Sequence, residues 1–508
     1  MDTILISPKK ITYKQFIPFL NGPVKARLSK IAIQNISKSQ KDFSRIKNSR
    51  KPIYGVNTGF GNLSQIKIDN NNLEKLQINL VKSHASGIGD PIDLGTVRII
   101  IFLKILNYAH GYSGIRLELV EMLLKLLNND ILPLIPKKGS VGASGDLAPL
   151  GHLALVLIGE GKVFYNGKKY KTKTVLDRAG IKPIILGPKE GLSLINGTQV
   201  STALAIKASI RGCILTTSAD IAGALSVENS FSSREVFRPI LHKAKLHPGQ
   251  RISAKNIYRL LVSSEIIKSH KNCDKIQDPY SFRCIPHVHG ASRDSFYYAS
   301  KMVDSEINSV SDNPLVINDK TILNSGHFHA EHVAQAMDIM AIAFSELGSI
   351  SERRTHYFMK GIGKSIPPFV TENPGLESGY MIAHVTSTAL ASENKTLSHP
   401  ASTDSMPTSG GQEDLVSMAP WAGYKLLNIQ KNLSYILAIE MIVAGAANNI
   451  IGANLSPSKG TAPLLELLRN NCKYEIGDRS LSDEIETIRK LIISGGLLNH
   501  ISKSINLE

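Results

Sequence analysis

Residues 139 to 151 read Gly139-Ser140-Val141-Gly142-Ala143-Ser144-Gly145-Asp146-Leu147-Ala148-Pro149-Leu150-Gly151. Glycines at 139, 142 and 145 let the backbone bend where a Cβ would block it. One reading is a Gly/Ser turn before a helix, with Ser144 or Asp146 as N-cap. A phosphate cradle is a second, but neither GxxxxGK(S/T) nor GxGxxG is present. The third is chemical. In a sharply folded Ala143-Ser144-Gly145, the Gly145 amide nitrogen approaches the Ala143 carbonyl carbon. Attack closes a five-membered ring, and loss of two waters, one carrying the Ser144 hydroxyl, leaves an exocyclic methylene. Glycine suits the attacking position because it is unhindered, and serine supplies the leaving oxygen.

Outward from this stretch the chain reads as helical. Apolar spacing predicts helices over 72–87 and 96–110, an amphipathic helix over 115–128, and another from about 147. A small hairpin is expected around Tyr165-Asn166-Gly167-Lys168. Residues 1–50 read as short helical pieces around Pro8, Pro18 and Pro23, with basic residues at 45–51. Beyond Pro188, proline-free stretches run over 189–238, 315–366 and 421–456, and 376–398 is also helical in pattern. Segments such as Leu437 to Ala446 are apolar on more than one side and need burial by neighbours or other subunits. The expectation is a mainly α protein: an N-terminal domain over 1–200 carrying the Ala-Ser-Gly loop, then a long-helix bundle over 201–508.

At 508 residues the chain can bury a large core, and 42% hydrophobic with 20% charged residues is a globular composition. Cys213, Cys273, Cys284 and Cys472 show no CxxC spacing and read as reduced, mostly buried residues of a cytoplasmic protein. The N-terminus lacks the apolar stretch of a signal peptide. Apolar runs at 97–106 and 147–158 are interrupted by Arg98, Lys104, Pro149 and His152, and none reaches the ~20 residues needed to span a bilayer. The excess of bases, 59 − 42 = +17, is scattered, without a basic block interleaved with aromatics. That reads as a solvated surface rather than a nucleic-acid or membrane site.

The eleven residues from Ser140 to Leu150 resemble the cofactor loop of the aromatic amino-acid ammonia-lyases. The resemblance extends over most of the chain. It implies a methylidene-imidazolone electrophile made from Ala143, Ser144 and Gly145, with no metal or external cofactor. It also implies the helical fold of the fumarase/aspartase-like superfamily and a homotetramer whose sites are built from more than one subunit.

Other motifs take a function from this resemblance. Tyr54-Gly-Val-Asn-Thr-Gly-Phe-Gly61 reads by itself as a mobile glycine-rich loop; the family carries such a tyrosine loop over its site, with Tyr54 as the base for the β-proton. A tyrosine of ordinary pKa ~10 is a poor base at neutral pH, so its surroundings must favour the phenolate. Around Gln277-Asp278-Pro279-Tyr280-Ser281-Phe282-Arg283 the local reading is a turn with a surface charge. The resemblance has Arg283 hold the substrate carboxylate through two parallel hydrogen bonds, with Gln277 and Tyr280 orienting substrate and cofactor. Asn196 matches the family asparagine beside the cofactor.

Two positions bear on the substrate. Ser83-His84 is similar to the pattern of histidine-acting members, although some tyrosine-acting members share it. Gln412-Glu413-Asp414 is similar to the histidine-acting branch, whereas phenylalanine and tyrosine members usually have Gln-Asp. A carboxylate at 413 can accept an imidazole N–H, and would be costly against a benzene ring. His327-Phe328-His329-Ala330-Glu331 and His287-Val288-His289 invite a metal site out of context. In the family run Phe328 packs against the substrate ring, and His329 and Glu331 lie in a helix start; His327 and His289 depart from the common pattern. The resemblance therefore implies conversion of L-histidine to trans-urocanate and ammonia. The alternatives are a tyrosine or phenylalanine ammonia-lyase or aminomutase, a metal-dependent hydrolase using the His-x-His pairs, and a basic nucleic-acid-binding protein. Two assignments stay open at this level: which tyrosine is the base, and whether the electrophile takes the amine or the ring.

Overall fold

Runs of Ala, Leu, Ile and Met without proline become long helices, since nothing in them breaks the backbone ladder. The computed structural model describes residues 3–47, 52–270, 275–475 and 477–508. Its longest elements are the helices Gln199–Asn229, Ile285–Ile307, Glu331–Met359 and Ala419–Ile451. Strands are few and short, and the architecture is mainly α. Two compact units are each assembled from three segments: 1–207, 300–338 and 400–424 in the first, 208–299, 339–399 and 425–508 in the second. The split expected from the sequence, 1–200 and 201–508, is contiguous instead.

The first unit is built on the helix Leu94–Ala109, buried along its length from Gly95 onward. Asp93 caps it by accepting from the Thr96 N–H. Burial on every side makes the two cations on this helix informative. Arg98 forks onto Asp130 at 2.7 and 3.0 Å, and Lys104 donates to the carbonyls of Ser193 and Asn196 at 3.0 and 2.6 Å. The helices Leu73–His84, Leu117–Asn128 and Leu147–Leu157 lie where periodicity predicts them. The hairpin also forms: Lys162–Tyr165 pairs antiparallel with Lys168–Lys171. Its turn residues Asn166 and Gly167 both have positive φ, which is what a tight two-residue turn demands.

The N-terminal region agrees with the sequence reading in part: Tyr13–Phe16 and Ile17–Asn21 are short helical pieces, the second containing Pro18. Thr3–Ile6 pairs in parallel with Lys25–Leu28, and a 17-residue helix, Lys30–Ile46, follows. Ser29 caps that helix, and Ala32, Ile36, Ser39 and Phe43 bury one face of it. The prolines end at Pro23, so nothing interrupts this run. Part of the basic stretch at 45–51, and Cys273, lie outside the described residues. Cys213, Cys284 and Cys472 are free thiols.

In the second unit Glu440 gathers donors from other helices: Ser226 Oγ at 2.6 Å and Arg354 Nη2 at 2.9 Å. Asp220 accepts from Arg293 at 2.7 Å and pairs with His289 Nδ1 at 2.9 Å. Breaking one partner of such buried pairs typically costs ~3–5 kcal/mol, so they hold helix register. The helix Met381–Leu397 begins later than 376, because the Ser378 and Gly379 N–H groups donate to the Asp478 carboxylate, each at 2.8 Å. Glu331–Met359 and Ala419–Ile451 have the length and composition to cross a membrane, which the interrupted apolar runs did not suggest. Most of each apolar window is buried within the protein, as in core helices.

Candidate active site

The Ala-Ser-Gly loop is pinned from both ends. On its N-terminal side, Ser417 Oγ donates to the Gly142 carbonyl and the Met418 N–H donates to the Val141 carbonyl, both at 2.8 Å. On its C-terminal side, the Asp146 N–H donates to the Gly197 carbonyl at 2.8 Å. The Asp146 carboxylate accepts from the Ser201 N–H and hydroxyl at 2.8 Å each, and from Ser140 Oγ at 3.2 Å. Burial pushes the Asp146 carboxyl above its ordinary range, against the pull of these donors. Gly145 has φ +79° and lies so close to Gly197 that an added Cβ would strike the Gly197 carbonyl oxygen. Only glycine fits there, for backbone and space alike.

Ala143 and Ser144 face a cavity of about 980 Å³ within the first unit. Glu413 reaches into the same cavity: its Oε1 accepts from the Ser144 hydroxyl, and its Oε2 accepts from Thr408 and Ser409 at 2.6 and 2.7 Å. Burial pushes the Glu413 carboxyl up, but the hydrogen bonds from Ser144, Thr408 and Ser409 outweigh it and leave the group below its ordinary range. It stands in the cavity as a carboxylate.

Tyr54, His84, Asn196 and Phe328 also line this cavity. The Tyr54 hydroxyl accepts from the Gly61 N–H at 3.3 Å, and its ring meets Phe60 edge-on at 6.3 Å. The surroundings do not favour its phenolate as the sequence reading required. Burial raises the Tyr54 pKa above its ordinary value and the Glu413 charge adds to this, with only the Gly61 N–H opposing. His84 Nδ1 lies 2.8 Å from the Leu80 carbonyl, which can only accept, so Nδ1 carries the hydrogen, and in the neutral ring this leaves Nε2 as the acceptor. Asn196 Oδ1 is buried without a protein partner.

Gln277, Tyr280 and Arg283 belong to the second unit and do not line this cavity. Gln277 is exposed, Tyr280 is 70% exposed, and the Arg283 guanidinium lies over the Tyr280 ring at 4.6 Å. Arg283 Nε is buried without a partner. The His-x-His pairs are divided in the same way. His289 is committed to Asp220, whereas His327 Nδ1 meets Ser325 Oγ at 2.7 Å and His329 Nε2 donates to the Leu415 carbonyl at 3.2 Å. Glu331 opens its helix, as expected. Among the described residues no group of three or more His, Cys, Asp and Glu side chains is placed to hold a metal.

Sequence reasoning passed over Ser201, Gly197, Ser417 and Met418, whose only signal is spatial. Lys104 did leave a trace, as a charge in an otherwise apolar run.

An Ala-Ser-Gly turn pinned against a carboxylate in the cavity of a helical protein fits the chemistry of an ammonia-lyase, and the solved structures that the chain matches share the helical fold of the fumarase/aspartase-like superfamily. The chain matches the family described as aromatic amino acid lyase over residues 11–470, and it belongs to that family. It is 45% identical to the histidine ammonia-lyase of Vibrio cholerae over 491 residues, 96% of each chain. The crystal structure of histidine ammonia-lyase from Trypanosoma cruzi is 34% identical, with a TM-score of 0.90 over 99% of this chain and 96% of that one. A tyrosine aminomutase from Streptomyces globisporus is 32% identical with a TM-score of 0.94 over 100% of both chains. Backbone similarity alone thus spans more than one substrate.

Proposed function

We propose that the chain acts as a histidine ammonia-lyase, a carbon–nitrogen lyase that converts L-histidine to trans-urocanate and ammonia without oxidation. The observation that carries this reading is the Glu413 carboxylate on Ser144. Its Oε2 is already taken by Thr408 and Ser409. When the Ser144 oxygen departs, Oε1 loses its donor. A substrate imidazole N–H restores one, whereas a benzene ring would leave Oε1 of the carboxylate without a donor.

Ala143, Ser144 and Gly145 fit a methylidene-imidazolone: glycine occupies the tight position, and the serine oxygen faces the cavity where it can leave. That group would supply an electrophilic carbon able to activate the amino group for departure. The remaining work falls to the chain's own residues. Glu413 accepts one ring N–H, and His84 Nε2 offers an acceptor for the other edge of an imidazole. Phe328 gives the ring an apolar wall, and Asn196 Oδ1 is free to take a polar hydrogen beside the loop. Tyr54 takes the β-proton. Since burial holds its phenol protonated, this role needs further stabilisation of the phenolate as substrate is bound.

Gln277, Tyr280 and Arg283 serve the cavity of another copy in a homotetramer, where Arg283 forks onto the substrate carboxylate. The test incubates purified protein with L-histidine, L-tyrosine and L-phenylalanine separately and follows the ultraviolet absorbance of each conjugated acrylate. Histidine turnover at least tenfold above the others supports the assignment; preference for tyrosine or phenylalanine overturns it.

A further inference from the structure

Lys104 is fully buried in the first unit. Its ammonium nitrogen donates to the carbonyls of Ser193 and Asn196, the end of the short helix Glu190–Ile195. Tyr108, one turn along the same helix as Lys104, donates to the Ser193 carbonyl at 3.0 Å. Ser193 is further tied through its hydroxyl to Asp312, itself paired with Lys189. A cation is favourable at a helix C-terminus, where carbonyls lack intrahelical donors.

Beyond this helix end the chain forms the rear wall of the Ala-Ser-Gly loop. Asn196 lines the cavity, and the next residue, Gly197, accepts the Asp146 N–H and abuts Gly145. Lys104 thus stands one peptide behind the contact that presses on Gly145. Burial pulls its pKa down to about 7, with Asp312 pushing up, Lys189 down and Asp146 up. An uncharged amine still has two N–H groups for two carbonyls, so the clamp survives on either side of that value.

We propose that Lys104 is a positioning residue for self-cyclisation: by holding the Asn196 carbonyl it keeps Gly197 pressed on Gly145 at the distance ring closure requires. The inference rests on the function proposed above. In that step a bond forms from Gly145 N to Ala143 C. The Ala143 oxygen leaves as water with the amide hydrogens of Gly145 and Ser144. The Ser144 hydroxyl leaves as a second water with the hydrogen on its own Cα. Electrons balance without an oxidant.

The experiment follows intact mass of the full-length protein after a short pulse of expression, reading the fraction of chains lacking two waters against time. Four proteins are compared: the parent, Lys104→Met, Lys104→Gln and Arg98→Met. Arg98 is the other buried cation on the same helix and touches no part of the loop, so its variant reports lost stability alone. Loss of the clamp should slow cyclisation roughly tenfold or more in Lys104→Met, the equivalent of one charge-assisted hydrogen bond. Lys104→Gln keeps N–H donors on a shorter stem and should fall between. Arg98→Met should cyclise at the parental rate. KM for histidine, measured on the cyclised fraction, should stay at the parental value. If Lys104→Met does not fold, Lys104→Gln against Arg98→Met decides. The proposal is overturned if Lys104→Gln cyclises as fast as the parent, or if Arg98→Met is slowed as much. A parent that turns over histidine while keeping both waters would instead overturn the self-made electrophile.

Discussion

The loop at 139–146 and the segment at 277–283 carry parts of one expected site, yet the fold treats them in opposite ways. The loop is held at Val141, Gly142 and Asp146 by neighbours within its own unit. Its serine already faces a carboxylate across a cavity. At 277–283 the tyrosine is mostly exposed and the arginine has an unpartnered buried nitrogen. For the proposed cyclisation, such preorganisation of the loop would remove the entropy of ring closure from the chemical step. The second segment would gain nothing from being satisfied early if, as proposed, its partner is a substrate.

Ser144→Ala is the largest blow to the first half of that contrast. It should fold and melt like the parent, show no lyase activity, and never lose the second water, whereas the active parent should lack both. Activity in the serine-less protein would break the assignment of the loop.

Tyr54→Phe should retain the two-water loss but turn over histidine about 10²- to 10⁴-fold more slowly, the usual contribution of a positioned base. A smaller fall in kcat would point to another tyrosine.

For the second half, Arg283→Lys should lower kcat/KM by roughly tenfold to a hundredfold, because an ammonium cannot fork onto a carboxylate. Inactive Ser144→Ala and Arg283→Ala chains, refolded together, should recover activity if the two segments meet between copies. No recovery in mixed oligomers confirmed by light scattering would show that each chain completes its own site.

Glu413→Gln keeps the shape and removes the charge, which should cost ~1.5–3 kcal/mol in histidine kcat/KM. His84→Leu should act in the same direction and less strongly. In the chain that still carries the Ser144 hydroxyl, hydrogen bonds from Ser144, Thr408 and Ser409 hold the Glu413 pKa below its ordinary range. After that oxygen leaves, Thr408 and Ser409 remain and a substrate N–H takes the place of Ser144. The contribution of the carboxylate is thus present above the carboxylate range and lost as pH falls through it. The preference for histidine over tyrosine should therefore stay level from about pH 9 down to about 7.5, above the range in which the substrate imidazole itself protonates. A preference that collapses within that interval would remove Glu413 as the reader of the ring.

Periodicity and punctuation made most elements legible. Leu117–Asn128 shows its apolar stripe, and Asn166-Gly167 announces its turn. The parallel pairing of Thr3–Ile6 with Lys25–Leu28 was not legible, because four-residue strands have too few alternations to show a period. Lys104 looked like an interruption of an apolar run. Its role depends on two carbonyls about ninety residues away, and no local pattern encodes that distance.

The sequence by itself determined the chemistry available: an Ala-Ser-Gly with a leaving oxygen, a tyrosine loop, and a glutamate where a carboxylate suits imidazole. These depend on side-chain identity and order, which survive without coordinates. Only the tertiary structure decided which groups work together. It joined Glu413 to Ser144 across 269 positions, pressed Gly197 onto Gly145, and left Tyr54 with a raised pKa. Distance, burial and hydrogen-bond saturation are properties of packed neighbours, and packing brings together residues that the linear chain keeps apart.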